Sequence, residues 1–109
     1  MGLDQYAIYE DNAGNREQFH YWRKHANLQN WMEILYRSKG GEGEFNCVPV
    51  EVTADDLDDL EAHYKNLPHG QGFFWGSSYP EHDEQTKEFI DAARAHLSEG
   101  KRVFYDSWW

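Results

Sequence analysis

The chain has one cysteine, three prolines and only ten basic residues against twenty acidic ones. Each shortage excludes something. A single thiol, Cys47, cannot close an internal disulfide, which points to a reducing compartment. No apolar run approaches the roughly 20 residues that a membrane-spanning helix needs. The opening Met1-Gly2-Leu3-Asp4 lacks a signal-peptide pattern, and Tyr6 stands where a myristoylation motif wants Ser or Thr. A soluble, cytosolic protein is the expectation. The formal net charge of −10 argues against direct nucleic-acid binding, which needs a basic footprint to displace counterions, and against attraction to anionic lipid. No Gly-Lys-Ser/Thr phosphate loop and no His-x-x-x-His pair can be found. No cofactor and no metal are expected.

What is present is aromatic. Phe, Tyr and Trp make up 17% of 109 residues. A chain of this length reads as a single globular domain spanning residues 1–109. Each large apolar side chain that it buries contributes about 1.5–3 kcal/mol, so its core needs no metal or disulfide support. Charge is unevenly spread. Asp55, Asp56, Asp58 and Asp59 form one acidic run and residues 81–91 another, whereas Arg16, Arg23, Lys24, Arg37 and Lys39 share one segment. Such blocks make either a polar binding face or ordinary solvated helix surface.

Periodicity places the elements. Residues 3–10 alternate with bulk on both faces, as in a strand covered on both sides or an interior one, and the Asp11-Asn12-Ala13-Gly14-Asn15 run is a turn. Residues 19–22 fit either a short strand or a first helical turn. Asn27 is placed to cap a helix whose apolar stripe is Leu28, Trp31, Met32, Leu35 and Tyr36, ended by glycine from Gly40. Residues 45–52 read as a strand that Pro49 confines to a sheet edge. Thr53 caps the next helix, with its hydroxyl accepting from Asp55 or Asp56, and Leu57, Leu60, Tyr64 and Leu67 are its stripe. Pro68 and Gly70 close it. Gly72-Phe73-Phe74-Trp75-Gly76 predicts a short strand, and Asp83 caps a third helix bearing Phe89, Ile90, Ala93, His96 and Leu97. In the last strand, 102–109, Val103, Tyr105 and Ser107 oppose Phe104, Asp106 and Trp108. The expected architecture is α+β, or small α/β: a mixed four-stranded sheet packed by about three helices.

Cations, imidazoles and aromatics crowd most closely at Tyr21, Trp22, Arg23, Lys24 and His25. Arg23 could grip a carboxylate or phosphate by its fork and Lys24 as a point charge, with Tyr21 or Trp22 stacked on a planar ligand. The alternative is that the aromatics fill the core while the cations pair with acids or reach water. Cys47 is either a nucleophile that needs a nearby base or a small core residue. Asp106, on the face of Phe104 and Trp108, is expected to be semi-buried and to want a basic partner such as Arg23. Trp108 and Trp109 either pack back onto the domain or anchor a partner.

Four segments together carry a resemblance. Met1-Gly2-Leu3-Asp4 with Tyr6, Tyr21-Trp22-Arg23-Lys24 leading to Trp31, Gly72-Phe73-Phe74-Trp75-Gly76-Ser77, and Phe104-Tyr105-Asp106-Ser107-Trp108-Trp109 resemble a widespread family of small, uncharacterised proteins carried by tailed bacteriophages. Phe45-Asn46-Cys47-Val48-Pro49-Val50 and the helix start at residues 53–60 resemble its closer branch. Members are often labelled phosphoglycerate kinase, but such a kinase is a two-domain enzyme several times longer, and 109 residues cannot supply two lobes and a nucleotide site. The resemblance implies expression in the cytoplasm of an infected bacterium and carries over no catalytic residue. The expected function is therefore that of a non-enzymatic phage accessory protein which binds a host or phage protein. Asp55, Asp56, Asp58, Asp59, Trp108 and Trp109 are the interface candidates, and one version is imitation of DNA charge by the acidic faces. The other reading is an anionic-ligand or nucleotide site, or an enzyme, built on Tyr21, Trp22, Arg23, Lys24, His25, Cys47 and Asp106.

Overall fold

A computed structural model gives the structure of the chain and describes residues 2–67 and 81–109. Strand β1 (Asp4–Glu10) turns back into β2 (Arg16–Arg23), followed by helix α1 (Ala26–Ser38) and a short β3 (Val50–Val52). Helices α2 (Ala54–His63) and α3 (Glu81–Ser98) then lead to β4 (Arg102–Trp108). The sheet order is β2-β1-β4-β3, and all three pairings are antiparallel. The fold is thus α+β with three helices and a four-stranded sheet, in which β2, over the stretch left open between strand and helix, is one of the four; no described pair is parallel, because the first connection is a hairpin rather than a helical crossover. The predicted strand at 72–76 and the predicted closure of α2 at Pro68 and Gly70 lie outside the described residues.

The hairpin is set by its turn. The Asp11 carboxylate accepts from the amides of Ala13 and Asn15, both at 2.9 Å, and Gly14 takes φ +84°, which costs a residue without Cβ little. Register then slips once: Ala7 faces His20 and Ile8 faces Gln18, so Phe19 is an extra residue. This bulge turns Phe19 and His20 the same way, and both rings meet Phe89 of α3 at 6.0 and 6.1 Å. A bulge breaks strict alternation, which is why residues 19–22 read ambiguously.

Helix α1 begins at Ala26 with His25 as its cap, two residues earlier than a cap at Asn27 would place it. Its stripe is as expected, with Leu28, Trp31 and Met32 buried. The strand expected over 45–52 shrinks to three residues at the sheet edge. Pro49 has no amide to donate, and Cys47 sits at φ +60°, although its own amide still reaches Ser107 O at 2.7 Å. Thr53 caps α2 in a reciprocal box: its hydroxyl accepts from Asp56 N at 3.3 Å, and the Asp56 carboxylate accepts from Thr53 N at 2.9 Å. Helix α3 begins at Glu81, so Asp83 lies inside its first turn rather than capping it.

All three helices pack on one face of the sheet. Ala7, Trp22, Val50, Val52, Val103 and Tyr105 meet Leu28, Trp31, Met32, Leu57, Leu60, Phe89, Ile90 and Ala93 there. A polar seam crosses this core. Tyr105 Oη donates to Gln29 Oε1 at 2.5 Å and accepts from Gln5 Nε2 at 2.8 Å. The same Gln5 amide accepts from His25 N at 2.8 Å and donates to His25 O at 3.0 Å, so it holds the start of α1 as a strand neighbour would. The radius of gyration, 13.0 Å, is that of one compact domain of about 100 residues. Among the described residues no helix is long and apolar enough to cross a membrane.

Candidate functional site

Side chains alternate along a strand, so placing Trp22, Ala7 and Tyr105 under the helices sends their neighbours to the opposite face. That face carries four rows across the sheet, read from the register: Arg23, Asp4 and Trp108; Tyr21, Tyr6 and Asp106; Gln18, Ile8, Phe104 and Glu51; Arg16, Glu10 and Arg102. No described helix covers it. The two ends of this open face differ.

At one end the charges are matched. Arg16 pairs with Glu10 at 2.8 Å, and Arg102 pairs with Glu10 at 3.3 Å and Glu51 at 2.9 Å. Both guanidinium groups lie over the Phe104 ring, 4.8 and 5.0 Å from its centroid. The hydrogen bond from Arg102 holds the Glu51 carboxyl below its ordinary range.

At the other end they are not. Asp106 is half-buried, and burial pushes its carboxyl up. Its one hydrogen bond among the described residues comes from Ser107 N, at 2.8 Å. Tyr6 faces it across the strand pair, and the phenol of Tyr6 is pushed up by burial and then by Asp4, Asp106 and Cys47. Tyr21 packs on Tyr6 with ring centroids 5.6 Å apart and donates to Asp4 Oδ1 at 2.5 Å. That bond drives the Tyr21 phenol up to about 12. Trp108, 63% exposed, stands in the neighbouring row with Arg23 and Asp4, and a cleft of about 420 Å³ opens beside Gly2, Asp4, Trp108 and Trp109.

The residues singled out from the sequence are therefore divided between two faces. Tyr21, Arg23, Asp106 and Trp108 share the open face, with Cys47 at its β4 edge. Trp22 and His25 do not join them. Trp22 is 1% exposed, with His20, Phe89 and Tyr105 around its ring, which leaves no face for a ligand to stack on. His25 is buried and stacks on His82 at 4.5 Å. Burial first, then His82, pushes its imidazole down to about 3, so it is neutral at physiological pH. Lys24 is half-buried in the left-handed region, φ +56°, with its amide donating to Leu3 O at 2.9 Å. It shapes the corner between β2 and α1. Arg23 forms no ion pair with Asp106, whose strand is separated from β2 by β1.

Cys47 is exposed, its Sγ 3.5 Å from Asn46 Oδ1, and among the described residues no imidazole hydrogen-bonds it. No group of three or more His, Cys, Asp or Glu side chains among the described residues is placed to hold a metal ion. The two terminal tryptophans part company. Trp109 is tied down, its indole donating to Phe45 O at 2.9 Å and its amide to Asn46 Oδ1 at 3.0 Å, whereas Trp108 stands out.

The acidic run on α2 is largely engaged within the fold. Asp56 closes the cap and takes Lys39 Nζ at 2.5 Å, Asp58 pairs with Arg94 at 2.8 Å, and Asp59 faces His63 at 3.3 Å. Only Asp55 lies outside these pairs. Glu61 adds Lys87 at 3.2 Å and Arg94 at 3.1 Å, so α2 and α3 are clasped by charge. Sequence reasoning missed Asp4 and Tyr6 as members of the open face. The signal was there in β1, whose bulk on both faces belongs to an interior strand, as expected, with described helices on one face only.

Comparison of the chain with family models, with curated proteins and with solved structures returned no match.

Proposed function

We propose that the chain is a phage-encoded accessory protein of the infected bacterial cytoplasm that binds a basic segment of a host or phage protein across the open face of its sheet. The observation that carries this reading is the combination of exposed aromatics, Tyr21 and Trp108, with the carboxylates of Asp4 and Asp106 on one surface. Aromatic side chains give contact area at little entropic cost, and Trp and Tyr dominate binding hot spots. The net charge of −10 speeds the approach of a basic partner. Imitation of DNA charge by α2 has less support, because Asp56 and Asp58 already pair with Lys39 and Arg94 in the fold. The anionic-ligand reading loses Trp22 and His25 to the core, and the Arg23 that remains on the open face shares it with the carboxylates of Asp4 and Asp106.

The test is capture from lysate of infected bacteria with the tagged chain and its Trp108→Ala variant. Binding that the variant loses, while an Asp55→Asn, Asp59→Asn double variant keeps it, supports the open face. Equal capture by wild type and Trp108→Ala overturns it.

A further inference from the structure

We propose that the Asp106 end of the open face is a subsite for an arginine side chain of the partner, its guanidinium forked onto the Asp106 carboxylate and lying over the Trp108 ring. This rests on the protein-binding reading above and names the chemistry that is recognised.

The molecule already uses this arrangement on itself. At the far end of the same face, Arg16 and Arg102 place their guanidinium groups over Phe104 and bond to Glu10 and Glu51. Aromatic ring, carboxylate and guanidinium are all supplied from within. At the near end the ring and the carboxylate recur two residues apart on one strand, as Trp108 and Asp106, about 6.5 Å along it. A guanidinium is present at this end too, on exposed Arg23 in the row of Asp4 and Trp108, but among the described residues no cation, Arg23 included, is paired with Asp106. Tyr6, Tyr21, Asp4 and Cys47 border the place, and none of them brings a positive charge.

Physical chemistry favours arginine over lysine here. A half-buried carboxylate without a cation is held at a desolvation cost, as the upward shift of Asp106 records, and a fork of two N–H donors relieves it better than a point charge does. Guanidinium is also the more weakly hydrated cation and stacks flat on indole. Phe104 lies next along the strand, so a second basic side chain meets Arg102 and is repelled. The subsite therefore reads one arginine rather than a run of them.

The probe is an acetylated, amidated Gly/Ser heptapeptide with one central arginine, titrated into the full chain and followed by nitrogen-15 amide and indole NMR. Matched peptides carry lysine or citrulline at the centre. The expected result is a set of shifts confined to Tyr6, Asp106 and Trp108, weaker with lysine and absent with citrulline. Asp106→Asn should weaken binding about tenfold or more, as loss of a charge-assisted hydrogen bond does. A measurement on the unmutated chain guards against misfolding of that variant: carbon-13 titration of the Asp106 carboxyl should show its pKa fall with the arginine peptide and stay with citrulline. Equal binding of arginine and citrulline peptides, or an Asp106 titration that the arginine peptide leaves unmoved, overturns the subsite. If partner capture still depends on Trp108 in that event, the docking face stands and only its arginine chemistry fails.

Discussion

Tyr105 donates to Gln29 and accepts from Gln5 where all three side chains have no exposed surface. Their burial is affordable only while each amide and hydroxyl finds its partner. Tyr105→Phe keeps the ring and removes the oxygen, leaving Gln29 Oε1 without its donor, and should cost about 1–3 kcal/mol of unfolding free energy in urea titration. His25 gives a second test at this scale. Its imidazole is held at about 3 when folded against about 6.5 when unfolded, so between those values the unfolded chain binds the extra proton. Stability is complete above about pH 6.5 and should fall as the pH drops towards 3, by at most about 1.4 kcal/mol per pH unit from this one group. His20 and His96, lowered by burial, act in the same direction. Asp106 opposes them, because burial raises its folded value. Urea titrations at pH 7 and pH 4.5 should show the loss, and His25→Phe, which keeps a ring against His82, should reduce it.

Among elements, α2 depends most plainly on one residue. Thr53→Ala removes one half of the reciprocal cap with Asp56 and should lower unfolding free energy by about 0.5–2 kcal/mol. That cap could be read before any coordinates, since Thr53 precedes an acid-rich first turn. The stripes of α1 and α3 and the alternation of β4 were equally legible, because one buried face imposes period on the residues that fill it. Elsewhere period failed for stated reasons. The extra Phe19 in β2 points two successive rings at α3, and Pro49 and Cys47 break the run before β3. The candidate site suffered from the same blindness to faces. Tyr21 to His25 look like one cluster along the chain, but alternation turns Trp22 inwards and Tyr21 and Arg23 outwards, and the bend at Lys24 buries His25. What brings Asp4, Tyr6 and Asp106 beside Tyr21 is strand order, which no local pattern encodes.

At the scale of the molecule, the helices cover one side of an antiparallel sheet, and the side facing away keeps its aromatics and carboxylates. The binding proposed there is charge-assisted, so association should slow as salt rises from 50 to 300 mM while dissociation changes less, measured by surface plasmon resonance with the captured partner. Trp108 contributes exposed area and little to the core, so Trp108→Ala should leave the melting temperature within the error of measurement. The central claim is that this open face is the surface the partner covers. Hydroxyl-radical footprinting of the chain, alone and saturated with its captured partner, tests it most directly, because Tyr21 and Trp108 stand exposed on that face and Ile34 stands exposed on the helical side. The account predicts protection of Tyr21 and Trp108 with Ile34 unchanged; protection of Ile34 with Tyr21 and Trp108 still oxidised would contradict it.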